Sequence, residues 1–81
     1  TIRVPDRDRF GERLKAAGIP TAVYYPKCLH EQPVFAPLGY PWGAFPQSER
    51  ASREVISLPM HPWLTETDQD RIVAAVRVAL T

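Results

Sequence analysis

The chain has 81 residues, with 10 Lys and Arg against 9 Asp and Glu, 44% hydrophobic residues and 23% charged ones. That length allows one domain at most, burying only about 60% of its unfolded surface, and the composition is that of a folded globular chain rather than a disordered one. A formal charge of +1, with the arginines dispersed among acidic neighbours such as Asp6, Asp8, Glu49 and Asp70, gives no electrostatic case for nucleic acid or an anionic membrane as partner.

No apolar run approaches the ~18 residues of a membrane span, and there is no signal-peptide pattern. The one cysteine, Cys28, cannot form an internal disulfide, which fits a reducing compartment; the expected location is cytoplasmic. The opening Thr-Ile-Arg-Val is strand-like from its first residue and the sole methionine is Met60. The chain is therefore expected to be a piece of a larger protein. Nine prolines are about twice the usual ~5% and imply several short elements joined by stiff loops.

Taken in order, Thr1 to Val4 alternates as a strand with Ile2 and Val4 on one face. Pro5 and Asp6 end it, and Asp6 is a suitable N-cap for a helix from Arg7 to Ala17 with Phe10, Leu14 and Ala17 as its buried stripe. Gly11 inside that helix costs about 1 kcal/mol against alanine, which suggests close packing there. Gly18 then sits where a left-handed residue closes a helix, Ile19 is placed to touch Leu14 in a Schellman motif, and Pro20 blocks continuation.

Thr21 to Tyr25 reads as a second strand. Thr21, Val23 and Tyr25 face one way and Ala22 and Tyr24 the other, which makes Tyr25 the tyrosine expected to pack inward. The stretch from Pro26 to Pro46 holds repeated prolines and turn signals and is expected to be irregular, with one helical turn near Leu29 to Gln32; a loop this long is usually functional or docked. Pro46 suits the first position of a helix running through about Glu54, with Ala51 and Val55 apolar. Ile56-Ser57-Leu58 reads as a third short strand. Thr65 to Asp68 has the capping-box form, and a last helix from Glu66 to about Leu80 buries Ile72, Val73, Val76, Ala79 and Leu80. The resulting class is a small α/β sandwich with helices packed on a three-stranded sheet.

Several chemistries find no support in the spacing. Cys28 and His30 lack the orienting acid and oxyanion turn that a cysteine nucleophile needs. One cysteine and two distant histidines do not make a structural zinc site, and the scattered glycines make no phosphate loop. Trp42 and Trp63, each in a turn beside proline, are equally readable as core cover or as a docking surface. Tyr24, Tyr25 and His30 cluster around one strand end beside a loop, where polar groups either meet a ligand or serve the fold.

Four segments in register add to this reading: residues 7–26 (RDRFGERLKAAGIPTAVYYP), 29–33 (LHEQP), 45–52 (FPQSERAS) and 56–65 (ISLPMHPWLT). In this order and spacing the chain resembles the C-terminal portion of the DegT-type nucleotide-sugar aminotransferases, pyridoxal-phosphate (PLP) enzymes of the aspartate-aminotransferase fold. The resemblance covers nearly the whole chain and implies residues 1–81 as one small C-terminal domain, with about three short strands in a mixed or mainly antiparallel sheet covered by three helices. It implies a parent enzyme that passes an amino group, commonly from glutamate, to a nucleotide-linked keto-sugar, in polysaccharide or antibiotic-sugar biosynthesis. The PLP pocket and its lysine would lie in a preceding large domain, and the parent would be a homodimer.

By the same resemblance the sugar pocket is shaped here by Tyr24, Tyr25, His30 and Gln32. Tyr25, Pro26, His30 and Gln32 keep the family pattern; Tyr24 departs from it, because histidine is common at that position, so a proton-transfer role there is replaced by hydrogen bonding. The family often has proline at the position of Cys28. Lys15 and Lys27 lie outside anything like the family's Ser-x-x-x-Lys motif, so no catalytic or cofactor-binding residue, no metal and no activity are expected of the 81 residues alone. Two rival readings remain open: a PLP-dependent sugar dehydratase on the same fold, and a non-enzymatic protein-interaction module built on the proline-rich loop, Trp42 and Trp63.

Overall fold

The computed structural model describes residues 1–81. A two-residue strand β1 (Ile2–Arg3) leads into α1 (Arg7–Ala16). Two short 3-10 helices, Leu29–Glu31 and Pro33–Leu38, interrupt the long loop before α2 (Pro46–Glu54), β2 (Val55–Ile56) and α3 (Glu66–Ala79). β1 and β2 pair antiparallel, Ile2 opposite Ile56 and Arg3 opposite Val55. No helix is long and apolar enough to cross a membrane.

The strand expected over Thr21 to Tyr25 contracts to a single antiparallel bridge, Ala22 to Ser57, with Ala22 N–H donating to Ser57 O (3.1 Å) and Ser57 N–H to Ala22 O (2.7 Å). Both continuations of that ladder are blocked. One direction would pair Pro20 with Pro59, and neither has an N–H to give. The other would pair Tyr24 with Val55, but the Val55 N–H is already given to Ala51 O at the end of α2, and Arg7 Nη1 donates to the Val55 carbonyl at 3.0 Å. The chain therefore leaves the sheet after Ala22. Val23 still packs half-buried against the core, whereas Tyr25, expected to face inward, is 73% exposed.

The helix ends follow their local chemistry. Ile19 N–H donates to Leu14 O (2.9 Å) and Gly18 N–H to Lys15 O (3.0 Å), with Gly18 at φ +79°, which is the Schellman pattern. Ile19 is buried and Ala17 is not, so the buried stripe of α1 passes from Leu14 to Ile19. Asp6 holds the N-cap position but its side chain makes no capping bond, because its backbone lies outside the extended region that aims a cap at the first turn. At α3, Thr65 Oγ1 accepts from Asp68 N–H (3.1 Å) and Asp68 Oδ2 accepts from Thr65 N–H (3.2 Å), completing the expected capping box.

Val4, Phe10, Leu14, Ile19, Ile56, Ile72 and Ala79 form the core, where α1 and α3 cover the short sheet. Val73 and Leu80, expected in the α3 stripe, lie half-exposed or more; Val76 packs against the core as expected, joined by Ala75. A Cβ on Gly11 would lie 3.2 Å from Ile56 Cδ1, so the glycine lets α1 approach β2 closely. Two α1 arginines fasten the other helices. Arg7 Nη1 donates to Ser52 O (2.9 Å) as well as Val55 O, and Arg13 Nη1 donates to Ala79 O (3.0 Å). Each satisfies carbonyls that a helix C-terminus leaves without partners.

The molecule is extended for its length. Its radius of gyration is 15.5 Å, where a compact chain of 81 residues would have about 12 Å. Its surface is 6280 Å², against about 4,900 Å² for a free-standing protein of this mass. Large apolar side chains stay exposed along the loop before α2, where Val34, Leu38 and Tyr40 are each more than half exposed, and at Met60 and Trp63.

Candidate functional site

The C-terminal end of the Ala22 segment, the first 3-10 turn and one face of α2 enclose an open cavity of about 660 Å³. All four candidate residues from the sequence line it: Tyr24, Tyr25, His30 and Gln32. Leaving the sheet after Ala22 turns both tyrosines to the cavity, where their rings meet edge to face at 5.8 Å between centroids. The floor is apolar, supplied by Phe45, Ala51 and Val55. An apolar surface with a few directed polar groups is the usual make-up of a small-molecule site.

Behind the cavity lies a residue that sequence reasoning placed among surface charges. Glu49, in the first turn of α2, is 4% exposed. Its Oε1 accepts from Gly43 N–H (2.9 Å); its Oε2 accepts from Gly43 N–H (2.8 Å) and Phe45 N–H (3.3 Å) and lies 2.7 Å from His30 Nε2. Burial works to raise the Glu49 carboxyl, but the backbone donors of Gly43 and Phe45 and the His30 contact outweigh it and hold the group below the usual glutamate range. Gly43, at φ +98°, supplies the left-handed turn that brings its N–H onto the carboxylate.

One sequence signal could have found Glu49. Counting back from Ile56, positions 52 and 49 fall on the same helical face. Both are buried, and Ser52 Oγ donates to Glu49 O at 2.7 Å. The inward face of α2 is thus polar at its start, where Ala51 and Val55 alone were expected to mark it.

His30 is held from three sides. Besides Glu49, Phe45 meets its ring edge to face (5.1 Å, 64°), and Trp42 stacks on it (6.3 Å, 23°). The Arg53 guanidinium lies 4.3 Å above the Trp42 ring. Trp42 therefore covers the histidine, while Trp63, 81% exposed, covers nothing comparable. No three His, Cys, Asp or Glu side chains converge on a point where a metal could sit. This arrangement can bind and orient a polar ligand through tyrosine, imidazole and amide groups; it holds no activated nucleophile.

The residues do not fit PLP. A cofactor phosphate would look for free N–H groups at a helix N-terminus, but those of Gly43 and Phe45 before α2 are taken by Glu49. Lys15 is exposed on α1, and Lys27 is exposed at the cavity rim.

A Geobacillus stearothermophilus protein described as a pleiotropic regulatory protein is 51% identical over 76 residues, 94% of this chain and 20% of that protein. The UDP-2-acetamido-2-deoxy-3-oxo-D-glucuronate aminotransferase of Pseudomonas aeruginosa is 41% identical over 75 residues, 93% of this chain and 20% of the enzyme. The crystal structure of a DegT DnrJ EryC1 StrS aminotransferase from Brucella abortus superposes with a TM-score of 0.83 at 39% identity, covering 94% of this chain and 20% of that one. The chain thus spans about 20% of the length of the curated relatives it matches. The family model for the DegT/DnrJ/EryC1/StrS aminotransferases matches residues 1–77, and to that family the chain belongs.

Proposed function

We propose that these 81 residues are the small C-terminal domain of a cytoplasmic, PLP-dependent aminotransferase that moves an amino group, with glutamate as donor, onto a nucleotide-linked keto-sugar. The observation that carries this reading is the convergence of Tyr24, Tyr25, His30 and Gln32 on one cavity, in a chain whose named relatives include nucleotide-sugar aminotransferases. The cavity walls orient the sugar through hydrogen bonds and exclude water when the domain closes on the rest of the enzyme. The PLP supplies the chemistry of amino-group exchange and is held by the preceding large domain.

The surplus of roughly 1,300 Å² over a free-standing protein of this mass supports a domain built to be covered. A standard interface takes ~800 Å² from each partner, so the surplus is enough for the large domain and for part of a homodimer contact.

The test is to add PLP to the purified chain and record its visible absorption. No lysine-bound cofactor band is expected. A band that appears, and that Lys27→Ala abolishes, would make this chain a cofactor carrier and sink the assignment of that role to another domain. In parallel, nucleotide sugars should shift the Tyr24 and Tyr25 resonances. A response around Trp42 to peptides and none to nucleotide sugars would establish an interaction module instead.

A further inference from the structure

We propose that Glu49 is a positioning residue that fixes His30 as the Nε2–H imidazole, so that its Nδ1 lone pair faces the cavity as an acceptor for a hydroxyl or N–H of the sugar. The ligand half of this inference rests on the function proposed above; the tautomer half does not. Three observations carry it. Glu49 is almost wholly buried and both of its oxygens receive backbone N–H groups, which can only donate. A carboxylate saturated with fixed donors is an acceptor, so the 2.7 Å contact to Oε2 requires the hydrogen on His30 Nε2.

Nδ1 is the second observation. It makes no hydrogen bond within the chain, yet no buried side-chain nitrogen or oxygen lacks a partner. Nδ1 is therefore not sealed in, and His30 lines the cavity. Third, Trp42 and Phe45 both pack against the ring, and turning it over would break the Glu49 bond. An acceptor at this wall selects for donors. It favours a sugar hydroxyl or amide N–H over a phosphate or carboxylate, which bring only lone pairs.

The experiment is nitrogen NMR on the isotopically labelled 81-residue chain at pH 8, above the usual histidine titration near ~6.5. A pyridine-type signal on Nδ1 and a pyrrole-type signal on Nε2 are expected; a pyrrole-type Nδ1 overturns the proposal. Glu49→Leu removes the acceptor that holds the hydrogen on His30 Nε2. Nδ1 should then move away from its pyridine-type position toward a mixture of the two tautomers, and an unchanged pattern in a folded variant overturns the role of Glu49. Should the variant fail to fold, the wild-type spectrum decides the tautomer.

Titration with UDP-glucose should shift Nδ1, and pyrophosphate alone, which at pH 8 brings only lone pairs, should not. A shift with pyrophosphate alone overturns the acceptor role. Movement of Tyr24 and Tyr25 with a silent Nδ1 overturns this inference while leaving the sugar pocket standing. Silence at all three removes the sugar pocket, and the ligand half of the inference with it.

Discussion

The two halves of this small molecule are closed by opposite physics. At one end α1 and α3 meet the sheet through Phe10, Leu14, Ile56 and Ile72, with no buried charge among them. At the other, the start of α2 is closed around a buried carboxylate, with His30, Gly43 and Phe45 as its donors. Apolar burial scales with area and tolerates exchange of one hydrocarbon for another. A buried carboxylate tolerates no such exchange, because its removal strands every donor aimed at it. The first arrangement gives stability and the second gives orientation, and it is the second that lines the cavity. They are coupled through Arg7, which reaches from α1 to the last carbonyls of α2.

The strongest way to break this division is to empty the apolar end. Leu14 has no exposed surface, so Leu14→Ala should cost about 2–5 kcal/mol. For a domain of this size that lowers the thermal midpoint by at least about 10 °C. Because α2 is anchored to the core by Arg7 and β2, circular dichroism and the Trp42 signal should melt together. If the α2 site kept its spectrum after the core had melted, the two ends would be independent and the coupling through Arg7 would be wrong.

The same contrast governs what could be read from the chain. Features written in adjacent residues were legible: the Gly18-Ile19-Pro20 helix stop, the Thr65–Asp68 box, Pro46 opening α2, and the register of Phe10 and Leu14. The second strand was misjudged because its loss is decided elsewhere. Val55 spends its N–H on α2 and its carbonyl on Arg7, and nothing near Tyr24 announces this. Tyr24, Tyr25 and His30 stood out at a strand end beside the loop and Gln32 only through the resemblance to a family; that all four line one cavity depends on the turn of the chain after Ala22. Glu49 stayed hidden because a glutamate flanked by arginine on an otherwise polar helix looks like a solvated charge. Its burial depends on Gly43 and His30 arriving from the loop.

A smaller perturbation should separate the two ends, namely acid. The folded Glu49 carboxyl sits below its unfolded value, so its ionised form contributes stability that is complete above the ordinary glutamate range near ~4.3 and is lost as pH falls through the folded value. Glu54, lowered first by the Arg50 hydrogen bond and then by Arg3, and Asp68, lowered by its hydrogen bonds with Thr65, act with the same sign. None of the three lies in the apolar core. Below the glutamate range the Gly43 and Phe45 amides and the Trp42 indole should shift while the Leu14 methyl signals hold. Simultaneous loss of both sets would mean that the carboxylate supports the whole fold rather than the cavity wall.

The smallest expected effect tests how the histidine is covered. Arg53 lies over Trp42, and Trp42 over His30, but the indole is 49% exposed. A cation–π contact at such a site is worth about 0.5–1 kcal/mol, and that is all Arg53→Ala should remove from stability. The variant leaves the Glu49 hydrogen bonds intact, so the ring of His30 stays fixed from below while its cover loosens. Trp42 side-chain order parameters should fall, with the Gly43 amide shift unchanged. If the Gly43 amide moves as much as the indole does, the stack of Arg53, Trp42 and His30 holds the carboxylate in place, and the polar end of the molecule is organised from its surface inward instead of from Glu49 outward.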